Sequence, residues 1–172
     1  SHYPDPAGGH TYIAVLEEAL AKYPDRVKVF LETKATALIE ENGRVTGVAV
    51  ESRGKTAKVF GTRGVIISTG GFGANVEFRQ KVNTGIWKEA NLDKEIGCSN
   101  ISVAAQGDGL IMAEKVNADL IGLADIQVHP NGTPGTGLML DIKTSGRNRL
   151  FINTNGDRFV DEGAPRDVLS KA

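Results

Sequence analysis

The chain holds one cysteine, Cys98, among its 172 residues, which excludes an internal disulfide and any cysteine-rich metal site. A lone thiol leaves the redox compartment open. No apolar run approaches the roughly 18 to 20 residues that a membrane span needs, and the first residues carry neither a basic start nor an apolar signal core. The sequence therefore reads as soluble, without a transmembrane segment. Neither sign of charge dominates: 20 Lys and Arg stand against 21 Asp and Glu, a net charge of -1. With no long basic run interleaved with aromatics, nucleic acid is excluded as a partner. Aromatic residues make up only 6% of the chain while glycine occurs 21 times, which favours a fold of tight turns and close backbone contacts over a helical bundle. No Gly-x-Gly-x-x-Gly follows an early strand, so that phosphate-cradling turn is absent from this stretch.

What is present is an ordered alternation of elements, in a length that suits one domain or a domain with a subdomain. Pro4-Asp5-Pro6-Ala7-Gly8-Gly9 reads as a loop. Ile13, Leu16, Leu20 and Tyr23 then recur at helical spacing, predicting a helix over residues 11–23. Residues 28–32 read as a short strand, followed by β-rich runs at 36–39, 45–50 and 57–60. Asn42-Gly43 and Arg53-Gly54 separate these runs, and Asn-Gly is the commonest type I′ hairpin signal, so a β-meander is expected. Gly64-Val65-Ile66-Ile67-Ser68 reads as a strand buried on both faces and leads into Thr69-Gly70-Gly71-Phe72-Gly73. A short helix is expected after Asn75, a linker over 86–100, and a helix after Gly107-Asp108-Gly109 with Asp108 as its N-cap. Residues 118–127, 138–141 and 150–152 read as extended, and Asn155-Gly156 as a hairpin turn. These elements predict a mixed α/β fold divided at 85/86.

Three groups of residues invite a chemical reading, each beside a plainer one. A glycine-rich turn such as Thr69-Gly70-Gly71 lets backbone N–H groups approach a ligand, because glycine has no Cβ in the way; it is also what an ordinary turn looks like. His129, in an extended apolar setting before Pro130, is by default a structural histidine bonded to backbone. Arg166, just after Pro165, has Asp161, Glu162 and Asp167 near it in sequence as ordinary ion-pair partners.

Taken together, Gln127-Val128-His129-Pro130 and Arg158-Phe159-Val160-Asp161-Glu162 followed by Arg166-Asp167 resemble motifs of the fumarate reductase and succinate dehydrogenase flavoproteins. The likeness is strongest to their soluble flavocytochrome-type branch of fumarate and urocanate reductases. Met139, ten residues after His129, also falls where that family commonly has methionine. The resemblance implies an FAD-dependent reductase that passes a hydride from flavin N5 to an activated C=C bond. In it Arg166 would be the acid that protonates the adjacent carbon, and His129 would bind a substrate carboxylate. Arginine is almost always charged, so such a role requires a guanidinium held against the substrate carbon and recharged by neighbouring carboxylates. Ala35 would lie beside the adenine, and Thr69, Gly70 and Asp108 would line the flavin edge.

The pattern is broken in three places. Aligned without gaps from His129 to Arg166, the family's carboxylate-binding threonine, relay glutamate and relay arginine correspond to Asp141, Ile142 and Ser145. Arg147 and Arg149, with Glu162 or Asp167, are the nearest replacements. If Asp141 faces the substrate, it repels a dicarboxylate and favours a molecule presenting an N–H or a positive charge, such as urocanate; if it faces outward, it is a solvated strand residue.

The resemblance therefore predicts, for residues 1–85, the later part of an FAD-binding domain, and for 86–172 a substrate-capping subdomain of mixed helix and strand. This stretch would be a middle piece that alone holds FAD weakly or not at all and turns nothing over. Its partners would be a small unsaturated carboxylate and an electron-donor domain or subunit, in either the bacterial cytoplasm or the cell-envelope side. Two alternatives share fewer of these residues: an FAD enzyme of the ketosteroid dehydrogenase or aspartate oxidase type, and a non-catalytic binding module.

Overall fold

The computed structural model describes residues 9–96, 104–130, 132 and 150–172. Helix α1 (Gly9–Ala21) comes first, two residues earlier than its apolar spacing predicts. The meander follows as β1 (Lys34–Glu41), β2 (Arg44–Ser52) and β3 (Lys55–Phe60), an antiparallel sheet in the order β1-β2-β3. Both connections are two-residue turns, between the pairs Glu41↔Arg44 and Ser52↔Lys55. Asn42 and Gly43 have φ of 54° and 78°, and Arg53 and Gly54 of 50° and 73°. Positive φ at both central residues is the type I′ geometry, whose twist matches that of the paired strands. Arg53 is held in its turn by a forked contact from Nε and Nη2 to Glu32 Oε2, at 3.2 and 2.9 Å. Thr36 is the extra residue of a bulge beside Ala35, and its Oγ1 donates to the Ala49 carbonyl.

Two expected strands are not formed. Residues 28–32 run as irregular chain ending in a turn, with Leu31 80% exposed. Residues 64–68 belong to no strand and have no ladder partners among the described residues, and Ile66 is 93% exposed. An apolar run states what a segment prefers to bury, but a strand also needs a neighbour to pair with.

The core lies on the other side of the glycine turn. Helix α2 (Val76–Lys81) is capped by Asn75, whose Oδ1 accepts from the Phe78 N–H at 2.9 Å. Helix α3 (Asp108–Glu114) begins at Gly107, which takes the left-handed φ of 76° and serves as N-cap without a side-chain bond. Asp108 is thus the first residue of the helix and not its cap. Phe78, Trp87, Leu92, Ala105, Met112 and Ala113 supply the buried apolar side chains. The stretch from residue 86, expected as a linker, thereby carries two of the most buried ones, Trp87 and Leu92. Buried Arg79 ties this region together. Its Nε donates to the Leu92 carbonyl at 2.7 Å, its Nη1 to that of Gly73 at 2.8 Å, and its Nη2 to that of Asp93.

Residues 118–127, expected as extended, form irregular chain with a turn closed by Asp125 N–H to Gly122 C=O. The expected hairpin at Asn155-Gly156 is formed, with Gly156 at φ 87° and an Ile152↔Arg158 bridge. Helix α4 (Arg166–Lys171) closes the described chain.

Candidate functional site

Two regions gather the residues singled out from the sequence. The first joins the glycine turn to α3. The Gly107 N–H donates to the Gly71 carbonyl at 3.0 Å, and the Ala74 N–H to that of Ala105 at 2.9 Å. Asn75 Nδ2 reaches the Gln106 carbonyl at 3.0 Å. Gly109 is in such close contact with residues 67–69 that a Cβ there would collide with Thr69 Oγ1 and Ile67 Cγ2. Helix α3 also packs against β1, the strand that carries Ala35. The structure therefore brings Thr69 and Gly70 beside the first turn of α3, where Asp108 sits; all three are exposed, and Ala35 is half-buried. At Gly70, Gly71 and Gly73 a Cβ would meet nothing within 4 Å, and Gly70 has φ 78°. One face of the turn's backbone is open, as close approach of a ligand requires.

The second region is a cleft of about 450 Å³, lined by Gly85, Ile86 and Trp87, by residues 124–128, and by Arg166 and Asp167. Arg166 is the first residue of α4, and Pro165 before it, with φ -55° and ψ 152°, presets the entry into the helix. The Arg166 side chain is exposed and donates through Nη1 to Gln127 Oε1 at 2.5 Å. Its partner is thus an amide rather than any of the three nearby acids read from sequence. Ser170 Oγ donates to the Val128 carbonyl at 3.0 Å, so α4 lies along the 126–128 segment. His129 is half-buried one residue further on and does not line the cleft. Met139, Asp141, Ile142, Ser145, Arg147 and Arg149 lie outside the described residues.

Of the two carboxylates named as relay replacements, Glu162 is committed elsewhere. It is 8% exposed, accepts from the Phe151 N–H at 2.7 Å, and takes a forked contact from Arg158 Nε and Nη2. The hydrogen bond from Arg158, with help from the Phe151 N–H, holds its carboxyl down to about 2, and the same bond raises Arg158 further above its ordinary value. Asp167, half-buried, remains on the cleft wall. In the sequence Gln127 belongs to a motif without a task of its own, and Trp87 and Arg79 belong to none; the one signal is that Trp87 is the chain's single tryptophan.

Residues 1–172 match the FAD binding domain family. The chain belongs to that family. Its fold, mixed helix with a small antiparallel sheet, is that of part of an FAD-binding domain, and the family binds FAD. A NADH:acrylate oxidoreductase of Vibrio harveyi is 37% identical over the whole chain, which spans 17% of that protein. A urocanate reductase of Eggerthella lenta is 40% identical over 85% of the chain, which spans 24% of it. The chain thus covers about a fifth of the length of these curated relatives, and the resemblance read from its motifs is borne out. A 3-ketosteroid-Δ4-(5α)-dehydrogenase of Rhodococcus jostii matches 60% of the chain and 20% of its own, with a TM-score of 0.50 and 24% identity, a likeness of fold alone. Among the described residues, no helix is long and apolar enough to cross a membrane.

The open glycine turn fits the cofactor. Thr69, Gly70 and Asp108 are exposed around this open face, and Ala35 lies on β1, against which α3 packs.

Proposed function

We propose that this chain is part of an FAD-dependent reductase that saturates the activated C=C bond of a small unsaturated carboxylate, with Arg166 as the proton donor. The observation that carries the reading is the Arg166–Gln127 contact on the wall of the cleft, which orients a guanidinium that is charged at rest and so has a proton to give. Once bound and reduced with two electrons from the donor, the cofactor would supply a hydride to one carbon of the double bond. Arg166 gives a proton to the other carbon, so that one hydride and one proton together complete the reduction. Asp167 takes up a proton from solvent and passes it to the guanidine, restoring the charged form. His129, next in sequence to Val128 of the cleft wall, binds the substrate carboxylate at the cleft's edge, and Ala35, Thr69, Gly70 and Asp108 hold the cofactor.

On this reading residues 1–85 belong to the FAD-binding domain and 86–172 to a capping subdomain that carries the acid over the flavin. Asp141 sets selectivity against a second carboxylate, which agrees with relatives named for acrylate and urocanate. Electrons come from a donor domain or subunit. The test is a substrate panel with the FAD-loaded, full-length enzyme and reduced viologen. Turnover of acrylate or urocanate above fumarate is expected, and fumarate as the best substrate overturns the selectivity role of Asp141. No turnover of any unsaturated carboxylate overturns the reductase itself.

A further inference from the structure

We infer that Trp87 is a positioning residue for the proton-delivery step, an inference that rests on the reading of Arg166 as the acid. Trp87 is 5% exposed, and its indole N–H donates to the Ile126 carbonyl at 2.9 Å, one residue before Gln127. Its ring carries Lys171 Nζ at 5.2 Å from the centroid, within cation–π range. Lys171 ends the helix that Arg166 begins. One rigid side chain therefore touches both arms of the Arg166–Gln127 pair: the segment presenting the acceptor and the helix presenting the donor.

Trp87 is itself held. Asn83 Nδ2 donates to the carbonyls of Trp87 and Ala90 at 2.6 and 3.1 Å, closing the turn around it. At Gly85 a Cβ would come within 2.6 Å of the Ala124 carbonyl, so the turn lies directly against the segment it braces. Trp87 makes its hydrogen bond to the Ile126 carbonyl and its ring contact to Lys171, so it acts through the 124–128 segment and through α4. If the indole N–H is removed, the Ile126 carbonyl loses its anchor and the 124–128 segment can shift. A displacement of about 1 Å suffices to misalign a proton donor.

The test compares Trp87→Phe with the unaltered full-length enzyme loaded with FAD. Phenylalanine keeps a ring under Lys171 but has no N–H. The expected result is unchanged FAD content and flavin reduction by viologen, kcat lower by about 10-fold, and a larger solvent deuterium isotope effect on kcat, because proton transfer becomes slower. Lys171→Met, at an exposed position, is expected to move the same two quantities by about 2- to 3-fold. Wild-type kcat and isotope effect in Trp87→Phe overturn the inference. If Trp87→Phe loses FAD, Lys171→Met decides, and wild-type values there overturn it. Arg166→Ala is run in parallel. Full activity in Arg166→Ala removes the reading and the inference together, whereas loss there beside a normal Trp87→Phe removes the inference alone.

Discussion

Arg166 Nη1 and Gln127 Oε1 stand 2.5 Å apart although 39 residues separate them in sequence. An amide oxygen is a suitable partner for an arginine that must also give up a proton. It accepts a hydrogen bond and fixes the guanidinium without adding the charge attraction by which a carboxylate would hold the cation more tightly. Replacing Gln127 by Leu should leave FAD content unchanged and lower kcat by about 10-fold, since orientation is lost while the acid remains. Steady-state assay with reduced viologen checks this. A change confined to KM would assign Gln127 to substrate binding instead.

Glu162 makes the 150–163 hairpin sensitive to acid. Its carboxyl is held at about 2 in the folded chain against an ordinary 4.5, so its pairing with Arg158 and the Phe151 N–H contributes fully above about pH 4.5. That contribution shrinks below pH 4.5 and is lost as the pH falls through about 2. Protection of the Phe151 amide, its exchange rate relative to the unfolded chain at the same pH, should therefore fall over this window. In Glu162→Gln the protection should be lower already at neutral pH and vary little with acid.

Asn75 makes two bonds at once, accepting from the Phe78 N–H and donating to the Gln106 carbonyl. Asn75→Ala removes the cap of α2 and the staple to the loop before α3, a loss of about 1 to 2 kcal/mol. Denaturant unfolding of the FAD-loaded protein should show a lower midpoint with an unchanged slope.

Gly109 leaves no space for a side chain beside Thr69 and Ile67. Gly109→Ala should push α3 away from the glycine turn, cost about 1 to 3 kcal/mol, and weaken FAD retention more than Gly43→Ala, which changes a hairpin far from that contact. The flavin-to-protein absorbance ratio after dialysis measures it.

The meander was legible because its cause is local: Asn42-Gly43 and Arg53-Gly54 supply the φ values that a two-residue turn demands. The helix after Asn75 was legible for the same reason, its cap being a single side chain. Residues 28–32 and 64–68 have the pattern of strands but form none, because an apolar run does not reveal whether a ladder partner adjoins it. At α3 the left-handed Gly107, rather than the acidic residue after it, opens the helix. Arg166 was legible as a candidate from its motif, but its partner was not, since Gln127 reaches it only through the packing of α4 along the 126–128 segment. Arg79 escaped notice because a charged helix residue ordinarily faces water, and here the fold turns it inward onto backbone carbonyls.

The central claim is that Arg166 delivers the proton, and pre-steady-state oxidation of the reduced flavin by substrate tests it most directly. In Arg166→Ala the FAD should bind and be reduced as in the parent enzyme, while its reoxidation by acrylate or urocanate slows by about 10²- to 10⁴-fold. Reoxidation at the parent rate in that variant would contradict the account.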